Sequence, residues 1–567
     1  MTAASLPISA AISSLPIDTP ATTTTATIRT TTTTNDGATT RERLSLGYFE
    51  GRTIFRNALH PSAEQLTQGF VTLEELVPPD CQRILATTFC APKAFEWLDQ
   101  TILGGPYGKY ARPSHVLLIH HADDDESVQP ALMMKQIKVR RKKQENWYKL
   151  AYRPHTGGCM HPKVLLFRTT QGLRVVVSGN NFYQYQWEND RDCMWVQDFF
   201  ASANTNSKSK SKSKISDAWR NKEENHGMPL RSFLTDLCQA AVGDQAFIKE
   251  HLEKLFANID LSQSKASLVY SFPRCSSSSS SSRSVKLQQQ KDTTGDRGGW
   301  KQLTQVVQDC LLDEYDTEND YNSPNTPDRA SAGTTRDKKK KDHYILYAMS
   351  GSIGDLDPTL LKSMKNAMSG KDTFFDDFPT MNDKKGMAQE WAKLSGIQCL
   401  LPSLETSQKM DPTWNGRLMS QSHWRSIPRL AQQSLFSDAI PNPNFERTQQ
   451  RPKYPFSHAK VLYCKYSKST TIRNNKPSVL YVGSHNFSKA AWGLANRMPA
   501  NVEVGVVLST KDPILQQEWE SRLPYRLSSS FSTDGNTSSS NYRPLLSGDW
   551  KGLSEKPNQM TGRGGDS

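Results

Sequence analysis

His161-Pro162-Lys163-Val164-Leu165-Leu166-Phe167 and, far downstream, His458-Ala459-Lys460-Val461-Leu462-Tyr463 are two versions of one phrase. The first runs on to Val175-Val176-Val177-Ser178-Gly179-Asn180-Asn181, the second to Leu480-Tyr481-Val482-Gly483-Ser484-His485-Asn486. Each copy reads His-x-Lys, strand, turn, strand, Asn. In an extended strand residues i and i+2 point the same way, so the His and Lys of each copy share a face. A repeat of this kind within one chain predicts two similar halves that meet face to face. Their meeting brings two imidazoles, two ammonium groups and two amides into one site.

That set suits phosphodiester chemistry without a metal. One imidazole can attack phosphorus and hold the phosphoryl group as a phosphohistidine. The other can protonate the leaving oxygen and later take a proton from water. Two lysines and two asparagine amides can stabilise charge on the non-bridging oxygens. A single His-x-Lys carries almost no information; two copies, each followed by a strand pair ending in Ser/Gly and Asn, carry a great deal.

The pattern resembles the phospholipase D superfamily, whose usual signature is His-x-Lys-x4-Asp. The residue five past Lys163 is Arg168 and the one five past Lys460 is Lys465, so the Asp is missing from both copies. That loss, with Asn further on, resembles the tyrosyl-DNA phosphodiesterase branch. Gly483-Ser484-His485-Asn486-Phe487-Ser488-Lys489-Ala490-Ala491-Trp492-Gly493 is similar to that family's second-motif continuation. Gly172–Val176 resembles the strand before its first Asn, Val502–Val506 its downstream acidic element, and Ser352-Ile353-Gly354-Asp355-Leu356 its phosphate-side loop. The resemblance spans about residues 65 to 525. It implies His161 as nucleophile and His458 as general acid, later base, with Lys163, Lys460, Asn181 and Asn486 binding phosphate. It implies Glu503 as the carboxylate orienting His161, and Ser352, Gly354, Ser484 and Ser488 as substrate contacts. Asp192 stands where the family often has a Gln orienting the second His. Gly157 stands where some members carry an aromatic. Spacing from Lys163 favours Asn181 over its neighbour Asn180.

Composition is compatible with this reading. The chain has 567 residues, a formal net charge of +13 and 36% hydrophobic residues, with a mean hydropathy of −0.64. A positive balance suits a polyanionic partner. The nine cysteines form no CxxC pair and no zinc-spaced cluster, and read as reduced thiols in a nuclear or cytosolic protein. No apolar run approaches the ~18 residues of a membrane span, and the N-terminus lacks a secretory pattern.

The expected organisation is a Thr/Ser-rich tail over 1–44, an N-terminal half over 45–275, a C-terminal half over 276–553 and a second tail over 554–567. Lys208–Lys214, the serine run Ser276–Ser282 and the polar stretch Asp316–Asp342 read as inserts. Arg140–Lys143, Lys208–Lys214 and Lys338–Lys341 read as solvated loops, nuclear-import signals or nucleic-acid contacts. Thr72 and Glu75 are in capping-box register. His115–His120 and Tyr344–Tyr347 read as strands, and the spacing of Trp300, Leu303, Val306, Val307, Cys310 and Leu311 predicts a core-facing helix. The aromatics past the two Asn positions (Phe182, Tyr183, Tyr185, Trp187, Phe487, Trp492) read as core ahead of base-stacking residues.

The fold class expected is α/β: two pseudo-symmetric halves, each a mixed β-sheet flanked by helices, with the active site at their interface. One chain carries both motifs, so a monomer suffices. The function expected is a cofactor-free, metal-free DNA-repair phosphodiesterase in the nucleus. Its partners would be single- or double-stranded DNA with 3′ adducts and the topoisomerase-derived peptide, with no membrane. A phospholipase D-type phosphatidyl hydrolase or transferase is the first alternative, and the missing Asp argues against it. A non-catalytic nucleic-acid-binding relative is the second; it would have lost a His or Lys, and all four are present.

Overall fold

Gly172–Ser178, with Val175-Val176-Val177 at its centre, is a strand in which every residue is buried. A run this apolar needs cover on both faces, and the fold supplies it. A computed structural model describes residues 49–57, 69–71, 76–89, 115–122, 133–136, 147–154, 156–182, 186–187, 192–202, 228–239, 245–273, 298–319, 344–354, 356–371, 384–408, 419–442, 457–466, 476–494, 498–527, 544 and 546.

Among these, one mixed sheet has nine strands: β1 (Glu50–Asn57), β2 (Phe70–Val71), β3 (Arg83–Thr88), β4 (His115–His121), β5 (Met133–Gln136), β6 (Trp147–Tyr152), β7 (Val164–Arg168), β8 (Gly172–Ser178) and β9 (Cys193–Phe200). Their spatial order is β2-β1-β9-β8-β7-β3-β4-β6-β5. A second mixed sheet has seven: β10 (Ser267–Ser271), β11 (Tyr344–Ser350), β12 (Ile397–Leu401), β13 (Phe436–Asp438), β14 (Lys460–Tyr466), β15 (Ser478–Gly483) and β16 (Glu503–Thr510), in the order β10-β16-β15-β14-β11-β12-β13.

The two orders coincide once β2 and β5 are set aside: β1-β9-β8-β7-β3-β4-β6 against β10-β16-β15-β14-β11-β12-β13. The directions coincide as well. The first four pairings of each series are antiparallel and the last two parallel. The pseudo-symmetric α/β halves expected from the repeated phrase are therefore present strand for strand.

The sheets pack face to face through alternate residues. Val164, Leu166, Val175 and Val177 from one meet Val461, Tyr463, Leu480, Val482, Val504 and Val506 from the other in a single core. The intervening residues, such as Leu165, Phe167 and Val176 or Leu462, Cys464 and Val479, point into separate outer cores. The helix Trp300–Asn319 covers the second sheet with Trp300, Leu303, Val306 and Val307, as its spacing predicts. It extends through Asn319, into the stretch expected to be an insert.

The halves also exchange segments. Ser267–Ser271 precedes the serine run yet lies in the second sheet, paired with β16. The helix Pro513–Arg522 follows the last strand and returns to β1: Trp519 Nε1 donates to the Arg52 carbonyl at 3.3 Å, and Arg522 Nη1 to that of Ile54 at 2.7 Å. Phe182, Trp187, Phe487 and Trp492 are buried, as expected of core aromatics. The terminal tails, the Thr72–Glu75 capping box, the Arg140–Lys143, Lys208–Lys214 and Lys338–Lys341 tracts, the serine run, Tyr183 and Tyr185 lie outside the described residues. No helix among the described residues is long and apolar enough to cross a membrane.

Candidate active site

Each His-x-Lys phrase sits at a strand end. β7 begins just after Lys163, and β14 begins at Lys460. β8 ends at Ser178 before Asn181, and β15 ends at Gly483 before Asn486. β9 and β16, the next strands, start beside the acids Asp192 and Glu503. All of these ends lie where the two sheets meet.

His161 is held by the opposite half. Its Nδ1 lies 2.8 Å from Glu503 Oε2 and 3.0 Å from the Ser484 carbonyl. Both neighbours are acceptors, so Nδ1 carries the proton and the Nε2 lone pair is bare. Burial lowers the imidazole pKa to about 4, with Lys163 and Lys460 adding to the shift and Glu503 opposing it. The ring is therefore neutral near pH 7, the state a nucleophile needs. Burial alone would raise Glu503, but His161, His485 and Lys163 together hold its carboxyl well below the usual range. Glu503 is fully engaged: Ser484 Oγ donates to Oε2 at 2.6 Å and Asn501 Nδ2 to Oε1 at 3.0 Å.

His458 mirrors this with weaker support. Its Nδ1 donates to the Gly179 carbonyl at 3.0 Å, the counterpart of the Ser484 carbonyl. Lys460 Nζ lies 2.7 Å from Nδ1 and 3.0 Å from Nε2. With Nδ1 already a donor, the ammonium can give a proton only to Nε2. Burial first, then Lys460, Lys163 and His161, lower the His458 pKa well below its ordinary value. Each lysine also returns to its own histidine's carbonyl, Lys163 at 2.7 Å and Lys460 at 2.6 Å. Both lysines lower both imidazoles, and His161 also lowers His458, which marks a pocket short of negative charge.

The two amides differ. Asn181 Oδ1 accepts from the Phe89 N–H at 3.2 Å and Thr88 Oγ1 at 3.5 Å, so its NH₂ is the end left for an anion. Asn486 Oδ1 is buried with no hydrogen-bond partner among the described residues.

Four of the expected site residues are engaged within the protein itself. Asp192 does not bond His458 directly. It is buried beneath the Gly179 turn, where Oδ2 accepts from Ser178 Oγ at 3.2 Å, Oδ1 from the Cys193 N–H at 2.8 Å, and the carboxylate also from the Gly179 N–H. Aspartate is one methylene shorter than Glu503, which stands at the equivalent strand start in the second half. Gly354 spends its N–H on the Phe487 carbonyl at 3.2 Å, and a Cβ there would lie 2.6 Å from that of Ser488, so this glycine serves packing. Ser484 is committed to Glu503 and accepts from the Val504 N–H at 2.9 Å. Ser488 caps the helix Lys489–Trp492. Ser352 is placed with them: its carbonyl accepts from Ser350 Oγ at 2.7 Å, and Ser350 Oγ in turn accepts from the Phe487 N–H at 3.3 Å.

Sequence reasoning missed three contributors. The Gly179 carbonyl has no side-chain signal. Asn501, two residues before Glu503 in extended chain, shares its face, and that spacing could have found it. His485 donates from Nε2 to Ser271 Oγ at 2.7 Å, because Ser271 gives its own proton to the Ala491 carbonyl; Nδ1 accepts from Tyr481 at 2.5 Å. This buried network stiffens the turn that carries Ser484 and Asn486.

No group of three or more His, Cys, Asp or Glu among the described residues is arranged to hold a metal ion. The family model described as tyrosyl-DNA phosphodiesterase matches residues 55–544. No curated protein matches the sequence. Among solved structures, a mutant of the yeast tyrosyl-DNA phosphodiesterase is 13% identical with a TM-score of 0.49, over 81% of this chain and 88% of that one. The unmutated yeast enzyme is 13% identical with a TM-score of 0.45, over 82% and 91%. A polyphosphate kinase from Porphyromonas gingivalis is 8% identical with a TM-score of 0.31, over 88% and 54%.

Proposed function

The chain belongs to the tyrosyl-DNA phosphodiesterase family, a family of phosphoric diester hydrolases, and from that premise we propose that it removes 3′-linked tyrosyl adducts from DNA through a phosphohistidine. The observation that carries the proposal is the clamp on His161: two acceptors at Nδ1 leave Nε2 as a neutral, aimed nucleophile. In the first step Nε2 of His161 bonds to phosphorus as the phosphorus–phenolate bond breaks, and His458, protonated once the bound phosphate offsets the charge of the two lysines, gives its Nε2 proton to the departing oxygen. In the second, His458 takes a proton from water, the water oxygen bonds to phosphorus, and the His161–phosphorus bond breaks. The products are free tyrosyl peptide and a DNA 3′-phosphate. Lys163, Lys460 and the Asn181 amide stabilise the non-bridging oxygens. The stalled partner that fits is a type IB topoisomerase peptide, and the net charge of +13 favours a DNA end. The basic tracts support a nuclear address.

The reaction is tested with a 3′-phosphotyrosyl oligonucleotide in excess EDTA. Two ammonium groups already supply the positive charge a metal would bring, so we expect full turnover to the 3′-phosphate. Loss of cleavage in EDTA, restored by Mg²⁺ or Zn²⁺, would defeat the two-histidine mechanism. Turnover of phosphatidylcholine with no action on the oligonucleotide would favour the phospholipase alternative.

A further inference from the structure

We propose that Asn501 is a positioning residue for the nucleophile, holding the Glu503 carboxylate and the chain that carries His161 in one fixed relation. The inference rests on the phosphohistidine reading above.

Asn501 is buried and uses both ends of its amide. Oδ1 accepts from the Cys159 N–H at 3.0 Å, in the segment leading into His161. Nδ2 donates to Glu503 Oε1 at 3.0 Å. The orientation is forced, since a backbone N–H needs an acceptor and a carboxylate oxygen needs a donor. The other oxygen of Glu503 is taken by His161 and Ser484, so Asn501 fixes the rotation of the carboxylate about its last torsion.

The same segment is stitched to the nucleophile by its backbone. Val502 N–H donates to the Cys159 carbonyl at 2.8 Å, His161 N–H to the Val502 carbonyl at 2.9 Å, and Thr156 Oγ1 to the Ala500 carbonyl at 2.6 Å. A Cβ at Gly158 would lie 2.0 Å from the Ala500 oxygen and 2.9 Å from Asn501 Oδ1, so only glycine lets the chains approach this closely. An amide is the one common side chain of this length that bridges an N–H donor and a carboxylate. Aspartate matches its shape and keeps the Cys159 bond, but sets a second carboxylate against Glu503. The charged and titratable groups facing this pair are His161, His485, Lys163, Lys460 and Tyr481.

A second carboxylate would raise the Glu503 pKa by like-charge repulsion and raise that of His161 by favouring its cation. Both effects move the acid limb of nucleophilic attack to higher pH. The experiment measures kcat/KM against pH on the 3′-phosphotyrosyl oligonucleotide for the full-length wild type, Asn501→Asp, Glu503→Gln and the double variant. We expect Asn501→Asp to shift the acid limb up by about one pH unit, and by less in the Glu503→Gln background, where only the direct field of the new carboxylate acts on His161. Asn501→Ser, which shortens the bridge, should cost about 10- to 100-fold at all pH values. An unmoved acid limb, with rate losses that follow the melting temperature, would reduce Asn501 to packing and overturn the inference. Histidine-labelled NMR keeps it decidable without turnover: the His161 titration must move up in Asn501→Asp. A wild type inactive on the oligonucleotide would sink the reading of the reaction, while an unmoved His161 titration would sink this inference.

Discussion

The two halves place the same groups at the same strand ends, yet one histidine is gripped and the other is only leaned upon. His161 donates to a turn carbonyl and to a carboxylate at 2.8 Å, and that carboxylate is itself braced by Ser484 and Asn501. His458 donates to the equivalent carbonyl, Gly179, but its acid stops short beneath the turn. The lesson is chemical. A nucleophile must be neutral, in one tautomer and aimed along one line. An acid–base group must gain and lose a proton within one cycle, and a buried carboxylate bonded to it would oppose the loss. The cross-wiring, with each imidazole oriented by the other half, also means that neither half holds a complete site.

Removing the histidines breaks the comparison most severely. His161→Ala should lose cleavage by about 10⁴-fold or more, with no covalent adduct, because nothing remains to attack phosphorus. His458→Ala should slow turnover by about 10²- to 10⁴-fold and accumulate an acid-labile protein–DNA adduct, since the water then lacks a base. Adduct in the first variant and none in the second, on denaturing gels, would exchange the roles.

Next come the acids. Glu503→Gln keeps the shape but can turn an N–H toward His161 Nδ1, and the Ser484 carbonyl then holds the tautomer alone. We expect a fall on the order of 10²-fold in adduct formation, smaller than loss of an unassisted orienting acid would cause. A loss confined to adduct hydrolysis in single-turnover assays would contradict the assignment of Glu503 to the nucleophile.

Most of the fold was legible because the repeated phrase is apolar and short. Val164–Phe167 and Val175–Val177 could only be buried strands, and their copies could only be the same strands again. His161, His458 and the two lysines stand out within the same repeated phrase, whereas Glu503 entered only through the family resemblance. What stayed hidden was carried by groups with no sequence signature: the Gly179 carbonyl, the reach of Asp192, and the competing commitments of Ser484, Ser488 and Gly354. A hydroxyl beside a site looks available until its cap or carboxylate is seen. The fate of Ser267–Ser271, placed in the second sheet, depends on long-range pairing with β16 that no local pattern records.

The depressed His458 pKa sharpens the comparison in a different way. Burial, Lys460, Lys163 and His161 keep this ring neutral in the free enzyme. A phosphate anion between the lysines offsets their charge and must raise the value. NMR titration with saturating inorganic phosphate should show His458 moving up by about one unit or more, with a smaller rise at His161, which its carboxylate already compensates. Equal shifts in both rings would mean that the two supports are equivalent after all.

The smallest effect tests the short acid. Burial raises Asp192 to about 6, with Lys460 and its hydrogen bonds pulling it back. As an anion it favours the His458 cation from a distance, and it holds the Gly179 turn through Ser178 Oγ. Asp192→Asn removes the charge and keeps an acceptor. The His458 pKa should fall, and the basic limb of the pH–rate profile should move toward acid by a fraction of a unit, since Asp192 reaches His458 through the Gly179 backbone and Lys460 rather than by a direct bond. The inflection near pH 6 that belongs to Asp192 should vanish in the same variant. Asp192→Glu adds the missing methylene. If length is what separates the halves, the longer acid should reach His458, raise its pKa, and slow adduct hydrolysis more than adduct formation. A profile unchanged in both variants would make Asp192 a support for the turn alone, and the difference between the halves would then rest on Glu503 and its brace Asn501.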